Sequence, residues 1–248
     1  MSVVSVINQK GGVAKTTTSV NVAAAWADMG KKVLLIDLDP QSSATKAIFG
    51  DKSFDKTIYD VIVNRVPANE AVQFSETFGI DVIPAEILLS GIDIQLAPQF
   101  GREKFLKRSL SNIRHEYDAI IIDCSPSLGL LTVNALMASQ DIVIPICPEY
   151  FSMKGIELIL DTLKNIRSGL GHKVNVRGIV ITRYRDRRIV KDVIKEVENL
   201  FGLRVFHDFI PDNIAVEEAH HHHLPVMDHA PKSKAAKAYK NLSRELWL

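Results

Sequence analysis

Residues 10–17 combine the side chains and the backbone that phosphate binding requires. The segment Lys10-Gly11-Gly12-Val13-Ala14-Lys15-Thr16-Thr17 lies between an apolar run and an amphipathic stretch. Glycines allow backbone N–H groups to approach an anion closely, and the first turn of a helix adds the positive end of its dipole. In such a loop Lys15 meets the β and γ phosphates, while the Thr16 hydroxyl ligates Mg²⁺. The pattern predicts a P-loop that binds ATP with Mg²⁺.

Ala14 departs from the usual P-loop pattern, which has glycine directly before the lysine. A methyl group is tolerated there if φ is negative, whereas a positive φ costs on the order of 1 kcal/mol or more. The plainer alternative is a glycine-rich turn that only links a strand to a helix. The glycines of the loop, Lys15, Thr16 and the flanking strand and helix all favour phosphate binding. Because of Ala14, the sequence does not predict the rate of hydrolysis.

Acidic residues end two of the apolar runs. Asp123 follows Ile120-Ile121-Ile122, and Asp37 and Asp39 follow Val33-Leu34-Leu35-Ile36. Because ligands of open α/β sheets bind at the carboxyl ends of the strands, these acids belong near the phosphate loop. We expect Asp39 and Asp123 to support Mg²⁺ through water, and Asp39 also to orient the attacking water. Any one of them could instead be a helix N-cap or a turn former.

The elements that position these residues follow from hydrophobic periodicity. Short runs rich in Val and Ile alternate with segments of helical period, which predicts one α/β domain over residues 1–248 with a mostly parallel twisted sheet and helices on both faces. The predicted strands are 3–8, 32–37, 79–84, 118–123, 141–147, 174–182 and, more weakly, 204–210. The predicted helices are 15–29, 58–64, 102–115, 130–138, 154–168, 186–201 and 232–246. Gly30 and Gly202 follow two of these helices as expected C-caps.

Bulk composition limits the class of protein. The chain has 248 residues, 46% of them hydrophobic and 24% charged, which excludes disordered, collagen-like and disulfide-scaffold classes. A net charge of +1 means that any nucleic-acid contact needs a local basic patch. The two cysteines, Cys124 and Cys147, lie in apolar runs and are expected to be buried thiols. No apolar run is long enough to span a bilayer, and no targeting segment is evident, so we expect a cytoplasmic protein.

Residues 10–17 resemble the deviant Walker A motif of the ParA/MinD family of partition ATPases, whose pattern is KGGxxK followed by Ser or Thr. Further segments match ParA/Soj proteins in the same order along nearly the whole chain. They are Asp37-Leu38-Asp39-Pro40-Gln41, Asp123-Cys124-Ser125-Pro126-Ser127, Pro148-Glu149-Tyr150-Phe151-Ser152-Met153-Lys154-Gly155 and Pro231-Lys232-Ser233-Lys234. The helix-turn-helix extension of larger partition ATPases is not expected, because the P-loop begins within the first dozen residues.

The resemblance implies roles for individual residues. Lys10 would reach across an ATP-dependent homodimer to the partner's nucleotide, and residues 11–17 would hold the local one. Pro211 and Asn213 resemble the loop beside the adenine, and residues 149–151 would line the dimer interface. Hydrolysis, supported by Asp39 and Asp123, would release the pair and be stimulated by a ParB-like or other cargo adaptor protein.

Nonspecific binding to nucleoid DNA is also implied, although residues 212–216 lack the basic stretch that many Soj-like proteins have there. Two basic clusters remain as candidates, one at the start of a predicted helix and one along the last helix. The candidates are Arg183, Arg185, Arg187, Arg188, Lys191 and Lys195, and then Lys232, Lys234, Lys237 and Lys240. The alternative is that these residues form ordinary solvated helix faces.

We therefore expect a slow, partner-stimulated ATPase that positions or segregates a plasmid, a chromosome origin or a protein assembly. An ATP-binding scaffold with little turnover and a MinD-like membrane-associated ATPase are the alternatives. The C-terminal segment 235–248 is amphipathic, but its small, alanine-rich apolar face favours docking on the core over insertion in lipid. The run His220-His221-His222-His223 is not expected to bind a metal ion, because adjacent residues on a helix point in different directions and cannot converge on one ion. We expect it in a surface loop near the nucleotide.

Overall fold

The computed structural model describes residues 2–148 and 153–247, apart from the side chain of Arg187. Within them seven strands form one sheet in the order β3-β4-β2-β5-β1-β6-β7. The strands are β1 Ser2–Val6, β2 Val33–Leu38, β3 Gln73–Ser75, β4 Ile80–Ile83, β5 Ala119–Cys124, β6 Asp141–Ile146 and β7 Asn175–Ile181. Every neighbouring pair is parallel except β3 with β4. The mostly parallel α/β sheet predicted from the sequence is confirmed.

The middle strands are mostly apolar because helices cover both faces of the sheet, and β2 and β5 each carry one aspartate near the carboxyl end. All residues of β2 and β5 are buried. These two strands are hydrogen-bonded neighbours in a register that sets Asp37 opposite Asp123. Strand β1 lies between β5 and β6, so the loop that follows it opens beside both acids.

Ten α-helices lie in the described part of the chain. They are α1 Lys15–Asp28, α2 Ser43–Phe49, α3 Ile92–Leu96, α4 Phe105–Leu110, α5 Leu130–Ala138, α6 Met153–Leu170, α7 Arg187–Phe201, α8 Ile214–His221, α9 Val226–His229 and α10 Lys234–Trp247. Side chains of α1 and α10 share one hydrophobic core, and those of α4, α5 and α6 share another. Gly30 and Gly202 have φ of 75° and 60°, as expected of glycines that end helices.

Three predicted elements differ in the structure. Residues 204–210 form no strand. Val205 makes an isolated bridge to Ile179 and the Ile210 N–H bonds to the Ile181 carbonyl, but between them the backbone N–H of His207 bonds to Glu245 instead of to β7. The predicted helix 102–115 is a short α4 between 3₁₀ turns at Arg102–Lys104 and Arg114–Glu116. The predicted helix 58–64 contains a π-helical turn at Asp60–Asn64.

The C-terminal helix α10 docks on α1. Its inner face is buried, with Ala235, Tyr239 and Leu242 at 0% exposure. The indole N–H of Trp26 in α1 donates to the Ser243 carbonyl at 2.9 Å. The predicted docking of this helix on the core is confirmed. No helix among the described residues is long and apolar enough to cross a membrane.

Candidate functional site

The phosphate loop connects β1 to α1. Gly12 has a φ of 74° and Ala14 one of 59°, so the chain passes twice through the left-handed region before the helix begins. Glycine adopts this region freely, whereas an L-residue with a Cβ is strained there by about 1–2 kcal/mol. Ala14 precedes the first residue of α1, and its carbonyl accepts the N–H of Thr18 at 2.9 Å. Of the two backbone conformations considered for Ala14 from the sequence, the structure has the strained one, with positive φ.

Lys15 points into the site from the first turn of α1. Its side chain is buried, with 7% of the residue exposed, and Nζ donates to the Lys10 carbonyl at 3.0 Å. Burial lowers the pKa of Lys15, and the negative charges of Asp123 and Asp39 oppose that change. A lysine held in this way presents a positive charge inside the loop, as phosphate binding requires.

Asp123 lies directly behind the first turn of α1. The Thr16 hydroxyl donates to Asp123 Oδ2 at 2.7 Å, and the Ser19 hydroxyl donates to Oδ1 at 2.8 Å. Burial raises the pKa of Asp123, and the neighbouring Asp37 raises it further. Hydroxyl and carboxylate oxygens are the donors that Mg²⁺ prefers, so Thr16, Asp123 and Asp39 fit the predicted magnesium site.

Asp37 and Asp39 hold the loop after β2. The Asp37 carboxylate is fully buried and accepts hydrogen bonds from the backbone N–H of Asp39 and from both the N–H and the hydroxyl of Thr45. Asp39 Oδ1 accepts the N–H of Gln41 at 2.9 Å. Asp37 therefore orients the segment that carries Asp39.

A cavity of about 410 Å³ brings the phosphate loop together with distant parts of the chain. Its walls come from the loop, from the ends of β2, β5 and β7, and from α8 and α10. They include Gly11, Gly12, Ala14, Lys15, Thr16, Thr17, Asp39, Pro126, Arg183, Pro211, Asn213, Val216, His220 and Tyr239. The predicted nucleotide residues thus lie around one cavity, except that Val13 is buried beside it and accepts the Thr182 hydroxyl. Asn213 also caps α8 by accepting the N–H of Ala215.

Lys10 is not among the residues that line this cavity. It is exposed, and it lines a second cavity of about 340 Å³ together with Gln9, Cys147 and Lys154. A lysine outside its own nucleotide cavity has the placement expected of one that acts on another subunit. The interface residues 149–151 predicted beside it lie outside the described residues.

The basic DNA candidates fall into two groups that differ in their surroundings. In the first, Arg183 lines the nucleotide cavity, and Arg183 and Arg185 form ion pairs with Asp212 at 3.6 and 2.8 Å. Arg188 and Lys191 are exposed on α7. In the second group Lys232, Lys234 and Lys237 are exposed before and along the outer face of α10. The side chain of Arg187 is outside the described part.

The four histidines do not form a metal site. Among the described residues no group of three or more His, Cys, Asp or Glu side chains is placed to hold a metal ion. His220 lines the cavity, and burial lowers its pKa. His223 contacts the Ala47 carbonyl at 3.4 Å. His220 lies beside the nucleotide cavity as expected, but the expected surface loop is wrong for His220 and His221, which form the end of helix α8.

Comparison with known proteins identifies the family. A model described as AAA domain matches residues 1–176. The sporulation initiation inhibitor protein Soj of Bacillus subtilis is 39% identical, with 98% of this chain and 97% of that protein covered. The chain belongs to the ParA/Soj family of ATPases. The chromosome partitioning protein ParA of Caulobacter vibrioides, 38% identical over 99% of this chain and 94% of that protein, is a second relative within it.

A solved structure supports the same assignment of fold. A Mycobacterium smegmatis protein described as cobyrinic acid a,c-diamide synthase, with a bound ATP analogue and magnesium, has a TM-score of 0.87 and 33% identity. The match covers 99% of this chain and 94% of that one. The chain therefore shares its architecture with the M. smegmatis protein, whose description names a different function from those of the ParA/Soj relatives.

Two residues at the site escaped the sequence analysis. Ser19 lies four residues after Lys15, on the same helix face, and that spacing could have indicated its contact with Asp123. Tyr239 lies more than 200 residues from the loop, and no local pattern places it at the cavity.

Proposed function

We propose that this chain is a slow Mg-ATP hydrolase whose ATP-bound homodimer binds DNA nonspecifically and positions or segregates a cargo. The cargo is a plasmid, a chromosome origin or a protein assembly, and a ParB-like or other adaptor protein stimulates hydrolysis. The protein acts in the cytoplasm on the nucleoid.

The proposal rests mainly on the placement of Lys15, Thr16 and Asp123 next to one another at the phosphate loop. Lys15 supplies a buried positive charge, and the Thr16 hydroxyl is already oriented by Asp123 at 2.7 Å. Bound Mg²⁺ would supply charge neutralisation for the phosphates of ATP. Asp39, buried at the rim of the same cavity, orients the attacking water in this proposal.

The exposed position of Lys10 supports a switch between subunits. A lysine contributed by a second copy neutralises phosphate charge only while both copies face each other across the nucleotide. ATP then favours the dimer, and hydrolysis removes the charge that the lysine contacts. The equilibrium between monomer and dimer therefore follows the nucleotide.

The exposed lysines of α10 support DNA binding. Within the described residues no ion pair engages Lys232, Lys234 or Lys237, whereas Arg183 and Arg185 are paired with Asp212. Charges that remain available to phosphates give binding that is independent of base sequence and sensitive to salt. Lys232, Lys234 and Lys237 are therefore the preferred contacts.

The test is retention of duplex DNA in the presence of ATP, ADP or no nucleotide, with light scattering on the same samples. We expect dimers and DNA retention with Mg-ATP alone. Equal retention in all three conditions would disprove the switch. Asp39→Ala should dimerise and bind DNA with ATP but hydrolyse it more slowly, and hydrolysis at the parental rate would show that Asp39 does not orient the water.

A second candidate, an ATP-dependent scaffold with little turnover, is favoured by one observation. Ala14 is held at a positive φ directly before Lys15, so the loop carries backbone strain at the residue next to the phosphates. No detectable hydrolysis, even with DNA and cargo adaptor added, would favour the scaffold. The membrane-associated alternative loses its support, because the apolar face of α10 is buried against the core.

A further inference from the structure

Tyr239 carries a buried hydroxyl that lies beside the Thr18 hydroxyl but makes no hydrogen bond of normal geometry with it. Its side chain is 0% exposed on the inner face of α10. In the described part of the chain, the hydroxyls of Tyr239 and Thr18 are the buried side-chain groups without a hydrogen-bond partner. Buried polar groups are nearly always paired, because an unpaired one keeps its desolvation cost. Such a group calls for a physical explanation.

The surroundings of Tyr239 point to a ligand. Its side chain lines the nucleotide cavity together with Thr17, Val216 and His220. Burial raises the pKa of the Tyr239 phenol well above its ordinary value, and the neighbouring Thr18 hydroxyl opposes that rise only in part. The phenol therefore remains neutral and can both donate and accept a hydrogen bond at the cavity wall.

We propose that the Tyr239 hydroxyl hydrogen-bonds the nucleoside part of the nucleotide bound in this cavity. The inference rests on the proposed function, because it requires ATP to bind there. The phosphates are already matched by the loop N–H groups and by Lys15. A neutral phenol among residues of α8 matches the ribose or the base, which offer neutral donors and acceptors.

This contact makes the C-terminal helix part of the nucleotide site. The inner face of α10 holds Tyr239, while the outer face exposes Lys234 and Lys237. The helix is also tied to α1 through Trp26 and Ser243. Binding of a nucleotide to Tyr239 therefore stabilises the helix that presents the proposed DNA contacts.

The experiment compares the parental protein with Tyr239→Phe, which keeps the ring and removes only the hydroxyl. Affinities for ATP, ADP and inorganic tripolyphosphate, each with Mg²⁺, are measured by calorimetry. We expect ATP and ADP to bind about two- to tenfold more weakly to the variant, as the loss of one hydrogen bond predicts, and tripolyphosphate to bind equally. Hydrogen exchange of α10 should slow with ATP in the parental protein and slow less in the variant.

Tyr117→Phe is the matched control, because the Tyr117 hydroxyl donates to Asp81 at 3.0 Å and lines no part of the nucleotide cavity. It should lower stability without changing nucleotide affinity. Parental ATP affinity in Tyr239→Phe would overturn the contact, as would an equal loss for tripolyphosphate, which would locate the effect at the phosphate loop. A parental protein that binds no ATP would instead overturn the proposed function itself.

Discussion

The Thr16 hydroxyl and the Asp123 carboxylate are joined by a hydrogen bond of 2.7 Å across 107 residues of sequence. Thr16 comes from the first turn of α1 and Asp123 from β5, and β1 lies beside β5 in the sheet. The pairing of the central strands therefore fixes the hydroxyl that is proposed to bind magnesium.

Asp123→Asn is expected to weaken Mg²⁺-dependent ATP binding by about 10- to 100-fold, as the loss of an outer-sphere carboxylate does at metal sites. Because burial raises the pKa of Asp123, the fold should tolerate the neutral amide. ATP affinity is measured with Mg²⁺ and again with EDTA, where parental and variant proteins should agree. The same loss in both conditions would show that Asp123 supports the loop and not the metal.

Lys10→Ala and Lys15→Ala should separate dimerisation from binding. Lys15 is buried inside the nucleotide cavity, so its loss should abolish ATP binding. Lys10 lines a different cavity, so its loss should spare ATP binding and weaken the ATP-dependent dimer. Light scattering and nucleotide titration on both variants provide the measurements. A Lys10→Ala protein that dimerises normally with ATP would refute the role of Lys10 in the partner's site.

Ala14→Gly should stabilise the protein without nucleotide by up to about 1 kcal/mol, because glycine adopts a φ of 59° without steric cost. The gain is reduced by the greater freedom of glycine in the unfolded chain. Urea unfolding measures the change. Ala27→Gly, in the last turn of α1, is the control and should destabilise by roughly 0.5–1 kcal/mol. A destabilised Ala14→Gly protein would contradict the strain assigned to this residue.

Glu245 should stabilise the docking of α10 in a pH-dependent way. Burial alone would raise the pKa of Glu245, but hydrogen bonds from His207 and Arg204 outweigh it and hold the pKa below its ordinary value of 4.5. A carboxylate with a lowered pKa contributes stability above its unfolded pKa and loses it as the pH falls through the folded pKa.

Glu245→Gln should therefore lower the free energy of unfolding by roughly 1 kcal/mol at neutral pH, with a smaller difference near pH 4. Urea unfolding at both pH values measures it, and the exposed Glu196→Gln on α7 is the control. A difference that is the same at both pH values would show that ionisation of Glu245 plays no part.

Replacing Lys234 and Lys237 together with alanine should weaken DNA binding in ATP. It should reduce the slope of log affinity against log salt by about 2 for each subunit that contacts DNA, or roughly one unit per phosphate contact. ATP binding should be unchanged. Lys173→Ala, at the exposed position before β7, is the control because it lies at the amino ends of the parallel strands, whereas the phosphate loop follows the carboxyl end of β1. An unchanged salt slope in the double variant would exclude this face from DNA contact.

Much of the fold could be predicted because its central strands begin with continuous apolar runs, four residues long in both β2 and β5. The runs that became β2 and β5 are buried throughout and stand between clear turn signals. The short edge strand β3 has only three residues, and helix α2 has seven, so neither gives a readable period. The error at residues 204–210 depended on Glu245, whose contact with His207 no local pattern reveals.

The phosphate loop could be predicted because its chemistry is local. Lys15 and Thr16 follow one another, and Asp123 lies at a strand end, where topology alone brings ligands together. Tyr239 could not be found in this way, since its place at the cavity depends on how α10 packs on α1. The sequence shows that Ala14 replaces the usual glycine, but only the backbone angles of the structure show that its φ is positive.

The chain has two tryptophans, and both lie at the junction of α1 with α10. The rings of Trp26 and Trp247 meet edge to face, with centroids 5.3 Å apart. Intrinsic tryptophan emission from this protein therefore comes from two residues at one helix junction. Since α1 begins at the phosphate loop, an unlabelled sample in a fluorimeter reports directly on how the C-terminal helix responds to each nucleotide.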